Sequence, residues 1–88
     1  MQPVVLYTTT SCIYCRSAKA WLSAHGVPYT EVDVTDDDDA RAALVERSGG
    51  QRTVPQIFVG DTHVGGYSDL VALDAAGKFT PLLEAQAP

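Results

Sequence analysis

Val4-Val5-Leu6-Tyr7 is an unbroken apolar run of β-forming residues, the pattern of a short strand buried on both faces. Beyond a Thr/Ser-rich turn the period changes. Ala18, Trp21 and Leu22 fall at i, i+3 and i+4, which predicts a helix from Ile13 to His25 that stops at Gly26, with Pro28 beyond it. From Tyr29 to Val34 apolar and polar residues alternate, the period of a second strand. Asp36 to Asp39 reads as a helix start, with Thr35 as N-cap, Asp38 as its capping-box partner and the acidic charges set against the helix N-terminus. Ala40, Ala43 and Leu44 supply that helix's apolar face, and Gly49-Gly50 ends it. Gln56 to Gly60 and Thr62 to Gly65 predict a β-hairpin turning at Gly60-Asp61. Leu70 and Leu73 mark a third helix closing at Gly77, and Thr80-Pro81 opens a last short one, with Thr80 as cap and Pro81 in the first turn.

The predicted order is β-α-β-α-β-β-α-α. A strand–helix–strand opening implies a parallel pair joined by a right-handed crossover, and the hairpin adds antiparallel strands. The fold class is therefore α/β: a four-stranded mixed sheet with helices on both faces. No linker, repeat or low-complexity stretch divides the chain, and only Ala85-Gln86-Ala87-Pro88 looks loose, so residues 1–88 are expected to form a single domain.

Composition narrows the function. Of 88 residues 45% are hydrophobic and 19% charged, the balance of an ordinary globular domain. A net charge of −5 argues against nucleic-acid binding, which needs a basic footprint. No apolar run approaches the ~20 residues of a membrane span. The start, Met1-Gln2-Pro3-Val4-Val5-Leu6-Tyr7, lacks the charged n-region of a signal peptide, so a cytoplasmic protein without membrane partners is expected.

Against that background the two cysteines stand out. Cys12 and Cys15, in Thr10-Ser11-Cys12-Ile13-Tyr14-Cys15, sit where the first strand hands over to the first helix. Helical i, i+3 neighbours share a face with Cβ atoms about 5–6 Å apart, close enough for a disulfide after small adjustment. Cys12 lies at the helix start, where unpaired backbone N–H groups favour a thiolate, whereas Cys15 lies a turn further in. An accessible thiolate beside a resolving thiol is the equipment of thiol–disulfide exchange. A zinc site needs four ligands, and beyond the cysteines only His25 and His63 are available, without paired spacing, so no metal is expected. An inert structural pair closing so short a loop would stabilise little. The placement beside a βαβ pattern, more than the four letters, makes the pair a redox signal.

Two further constellations accompany it. Arg52-Thr53-Val54-Pro55 stands just before a strand, where the proline either starts the strand as an ordinary trans residue or adopts the cis isomer. Gly65-Gly66-Tyr67-Ser68-Asp69 precedes a helix; the glycines let a ligand approach the backbone, and the helix start offers N–H groups to a carboxylate.

Taken together, Tyr7-Thr8, Cys12-Ile13-Tyr14-Cys15, Gly50 to Val59 and Gly65 to Leu70 make the chain resemble the small dithiol bacterial glutaredoxins over nearly its whole length. The resemblance implies a thioredoxin-like fold and a glutathione-dependent thiol–disulfide oxidoreductase that reduces protein–glutathione mixed disulfides and protein disulfides. It implies that Cys12 is the nucleophile and Cys15 the resolving thiol. Tyr14 would flank the tripeptide. Thr53 and Val54 would lie along it, with the Val54 backbone pairing with its cysteine and Pro55 cis beside the active sulfur. Gly66 and Tyr67 would border the groove, and Ser68 and Asp69 would hold the γ-glutamyl end. Glutathione enters as co-substrate, with no tightly bound cofactor. The expected partners are glutathione and glutathionylated or disulfide-bonded proteins, and the expected state is a monomer.

Three positions depart from the family pattern. The lysine usual three residues before the first cysteine is Thr9, which leaves Arg52 or Arg41 as the candidate cation for the glycyl carboxylate, and Arg16 and Lys19 as candidates to stabilise the thiolate. Proline between the cysteines is replaced by Ile13, and the cysteine usual after Gly-Gly is Tyr67, expected to pack across the groove. Some family members without that proline carry a [2Fe–2S] cluster between two subunits, and the missing lysine leaves room for a member adapted to another low-molecular-weight thiol or to a thioredoxin reductase. These are the rival readings.

Overall fold

In a computed structural model, which describes residues 1–85, the chain runs β1 (Val4–Thr8), α1 (Ile13–Ala24), β2 (Thr30–Asp33), α2 (Asp38–Arg47), β3 (Gln56–Val59), β4 (Thr62–Gly65), α3 (Tyr67–Ala75) and α4 (Phe79–Glu84). Element types and order match the sequence pattern; residues 86–88 of the loose end lie outside the described residues. The sheet order is β2-β1-β3-β4. β1 pairs in parallel with β2 and antiparallel with β3, and β3 and β4 form the antiparallel hairpin. The hairpin turns at Gly60, whose φ of 56° is the left-handed backbone that glycine adopts without penalty.

Strand alternation builds two cores. From β1 and β3, Val4, Leu6, Ile57 and Val59 face Ala18 and Leu22 of α1, Leu70 of α3, and Phe79 and Leu83 of α4. On the opposite face Tyr7 and Phe58 meet Val34 and Leu44, under α2. Because both faces are covered, the central strand β3 is buried at every position, including its polar Gln56. The edge strand β2 is mostly exposed, with only Val32 partly covered.

Local predictions that rested on capping chemistry need correction. Thr35 is not the N-cap of α2 and Asp38 is not its partner: Asp37 caps, its Oδ1 accepting the Ala40 N–H at 2.9 Å. The Thr35 hydroxyl is engaged elsewhere, accepting the Thr10 N–H at 2.9 Å. Thr80 does not cap α4, which begins at Phe79 after Lys78, because Phe79 must enter the core and stack edge-on against Trp21, 5.3 Å between ring centroids. Pro81 still falls in the first turn, where its missing N–H has no helical partner to lose. The apolar face of α2 is narrower than expected, since Ala43 is exposed and Leu44 alone is fully buried.

Candidate active site

The loop between β1 and α1 is pinned to the loop after β2 by Thr10, which donates its N–H to Thr35 Oγ1 and brings its own hydroxyl to 2.7 Å from that oxygen. This fixes where α1 begins. Cys12 is its N-cap residue, with extended backbone, and its sulfur accepts the Cys15 N–H at 3.0 Å. A backbone donor at a helix start is where negative charge on sulfur is best accommodated. The Cys12 thiol also lies 3.7 Å from the Val54 carbonyl oxygen, toward which it donates. Cys12 is partly accessible and Cys15 is buried, and both are free thiols.

The two sulfurs are chemically distinct. Burial, together with its hydrogen bond to Cys12, pushes the Cys15 thiol up to about 12, against an ordinary 9.0. Cys15 is therefore a protonated reserve thiol at neutral pH.

Beside Val54 opens a groove of about 320 Å³ lined by Tyr14, Thr53, Val54, Pro55, Gln56, Gly66, Tyr67, Ser68 and Asp69. Eight of the nine residues expected from sequence to surround a bound thiol meet here. The Val54–Pro55 bond is cis, the isomer the resemblance implies. Tyr14 and Tyr67 stack across the groove, centroids 6.5 Å apart at 29°, as expected for Tyr67. Asp69 reaches back to accept the Gly66 N–H with Oδ2 at 2.9 Å, which steadies the start of α3. Gly65 permits this approach: at φ 113°, a Cβ there would stand 2.5 Å from Asp69 Oδ2.

The ninth residue is elsewhere. Arg52 lies with Arg41 along a depression of about 410 Å³ against α2, outside the groove. Thr9 faces a second, polar cleft of about 340 Å³ that reaches both cysteines and is also lined by Arg16, Lys19, Glu31 and Asp33. Lys19 there is paired with Glu31 at 3.0 Å, and Glu31 also accepts a 2.7 Å hydrogen bond from the buried Thr8 hydroxyl. The Thr8 bond, with Lys19 assisting, holds the Glu31 carboxyl below its ordinary range, and Glu31 in turn raises Lys19. Lys19 is thus ion-paired to Glu31, while its charge still acts weakly on Cys15 in the lowering direction. Among the described residues no His, Cys, Asp and Glu gather into a metal-binding group.

Gln56 is the groove residue that the sequence pattern did not single out. The signal was present: a polar side chain opening an otherwise apolar strand that both faces of the fold bury.

Comparison with known proteins agrees with this geometry. The glutaredoxin family model matches residues 4–64. The chain is 49% identical to glutaredoxin of Pseudomonas aeruginosa over 85 residues, covering 97% of this chain and all of that one. It is 45% identical to glutaredoxin 3 of Escherichia coli K12 over 84 residues, covering 96% of this chain and all of the relative. Among solved structures, the solution structure of glutaredoxin from Brucella melitensis aligns with a TM-score of 0.81 and 45% identity, covering 96% of this chain and 90% of the other. A buckwheat glutaredoxin–glutathione complex aligns at 0.82 with 33% identity, covering 93% and 76%. Two thiols of unequal burial at the head of α1, in a thioredoxin-like sheet with these relatives, make this chain a member of the glutaredoxin family and a thiol–disulfide oxidoreductase.

Proposed function

We propose that the reductant and recognition group is glutathione, and that the protein reduces protein–glutathione mixed disulfides first and protein disulfides second. Cys12 thiolate attacks the glutathione sulfur of the mixed disulfide; a Cys12–glutathione disulfide forms and the substrate protein leaves as its thiol. A second glutathione thiolate then attacks the bound glutathione sulfur, releasing oxidised glutathione and restoring the Cys12 thiolate. With a protein disulfide, Cys15 instead closes on Cys12, and two glutathiones later reduce the bridge.

The observation that carries this reading is the Cys12 sulfur 3.7 Å from the Val54 carbonyl, beside a groove with the start of α3 in its other wall. An extended thiol lying along Val54 would meet backbone N–H groups at Ser68 and the Asp69 carboxylate, which suit the carboxylate and ammonium of a γ-glutamyl end. Tyr14, 65% exposed and stacked on Tyr67, offers an apolar flank. The buckwheat relative, solved with glutathione, lends support. A monomer working in a reducing cytoplasm completes the proposal; no helix among the described residues is long and apolar enough to cross a membrane.

The test is turnover of a glutathionylated peptide with glutathione, compared at equal thiolate concentration with cysteine and with coenzyme A. Glutathione is expected to be preferred. Equal or lower turnover with glutathione refutes the assignment while leaving thiol–disulfide exchange intact.

A further inference from the structure

Gln56 opens β3 and is 4% exposed, yet its amide is held at both ends. His63 Nε2 lies 2.6 Å from Gln56 Oε1, so that ring nitrogen carries the hydrogen and donates it. Gln56 Nε2 in turn donates to Thr53 Oγ1 at 3.1 Å. His63 is itself fixed, opposite Phe58 in the hairpin register, with its ring stacked on that phenyl at 4.9 Å and 25°.

This chain of bonds has a direction. With the amide placed this way the His63 N–H meets its oxygen end, the amide N–H occupies a lone pair of the Thr53 oxygen, and the hydroxyl's own hydrogen is left to donate. Turning the amide over would require the other His63 tautomer, with Nε2 accepting from the amide NH2, and would consume the Thr53 hydrogen on Gln56 Oε1. Gln56 and Thr53 both line the groove beside Cys12, whereas Arg52 stands outside it and Thr9 faces the other cleft.

We infer that His63, acting through the buried Gln56 amide, is a positioning residue that holds the Thr53 hydroxyl as a hydrogen-bond donor to a carboxylate of the thiol bound in the groove. The inference rests on the glutathione reading above and deepens it: a neutral relay serves the end of the thiol remote from α3, where the family pattern would put a cation. A hydroxyl bonded to a carboxylate is of the charge-assisted kind, and a donor chain behind it strengthens each member.

A double-mutant cycle tests it. Thr53→Val removes the hydroxyl and keeps the shape; His63→Phe keeps an aromatic ring against Phe58 and removes the N–H. The substrates are one peptide carrying glutathione and the same peptide carrying glutathione esterified at the glycyl carboxylate. With glutathione, Thr53→Val is expected to raise KM by about three- to tenfold, the low range for a bond to a charged partner where water competes. His63→Phe raises KM less, kcat stays unchanged, and the double variant is no worse than Thr53→Val alone. With the ester, all four proteins share one KM. Two effects that multiply, an unchanged KM in His63→Phe, or a loss confined to kcat overturns the relay. A wild-type protein that works with cysteine and not with glutathione overturns the glutathione reading instead, and this is seen before any variant is made.

Discussion

Cys15 sets a measurable limit on how the enzyme divides its two routes. Burial at 1% exposure and the hydrogen bond to Cys12 push its thiol up to about 12. At pH 7 a thiol at that value is about 10⁻⁵ ionised, roughly a thousandfold less than one at the ordinary value, and thiolate is the attacking form. Once glutathione occupies Cys12 that thiol no longer stands free beside Cys15, but burial, the larger cause, remains. Closure of the Cys12–Cys15 disulfide should therefore rise tenfold per pH unit from pH 6 through at least pH 9 without levelling. Attack by free glutathione should level near its own ordinary thiol range, about 8.5. The assay loads Cys12 with glutathione, jumps the pH, quenches in acid and counts mixed disulfide against closed disulfide by mass. Cys15→Ser should retain deglutathionylation and lose most protein-disulfide reduction; Cys12→Ser should lose both, since a serine hydroxyl is barely ionised at neutral pH. A closure rate that levels below pH 9, or equal damage to deglutathionylation from both substitutions, refutes the reasoning.

Thr9→Lys, whose longer side chain starts in the cleft that also reaches Cys12, should lower KM for a glutathionylated peptide by a few-fold up to about tenfold, with the gain shrinking as salt screens an exposed pair. Arg41→Ala and Arg52→Ala should leave that KM unchanged, because both side chains lie outside the groove; steady-state kinetics at low and high salt decide. Glu31 is held below its ordinary 4.5, first by Thr8, so its contribution to stability is present above that value and is lost as pH falls through the depressed one. Urea midpoints of Thr8→Val and Glu31→Gln should accordingly fall less between pH 7 and pH 3 than those of the wild type. Leu22, fully buried between α1 and the sheet, should cost about 2–5 kcal/mol on truncation to alanine in the same denaturation experiment, and a loss under 1 kcal/mol would mean the α1 face is loosely packed.

Whatever depended on period and on steric special cases was legible in the sequence. Alternation and i, i+3, i+4 spacing set the eight elements in order, because a strand or helix must show one apolar face wherever it packs. The cysteine pair at a strand-to-helix junction, Val54-Pro55 and Gly65-Gly66 announced the site, since each is a residue type that few other backbone positions require. What tertiary structure decided was the destination of polar side chains able to serve several partners. Thr35 had the chemistry of a cap, but Thr10 from another loop reached it first, so Asp37 took the cap. Arg52 had the charge for a carboxylate, but the turn before β3 carries it toward α2. Lys19 had the charge for a thiolate, but the parallel pairing of β1 with β2 brings Glu31 beside it. Gln56 and His63 are seven residues apart and become partners only when the hairpin folds back on itself. Apolar burial is a property of one residue and its period, whereas a hydrogen bond or ion pair belongs to two residues that only the fold brings together.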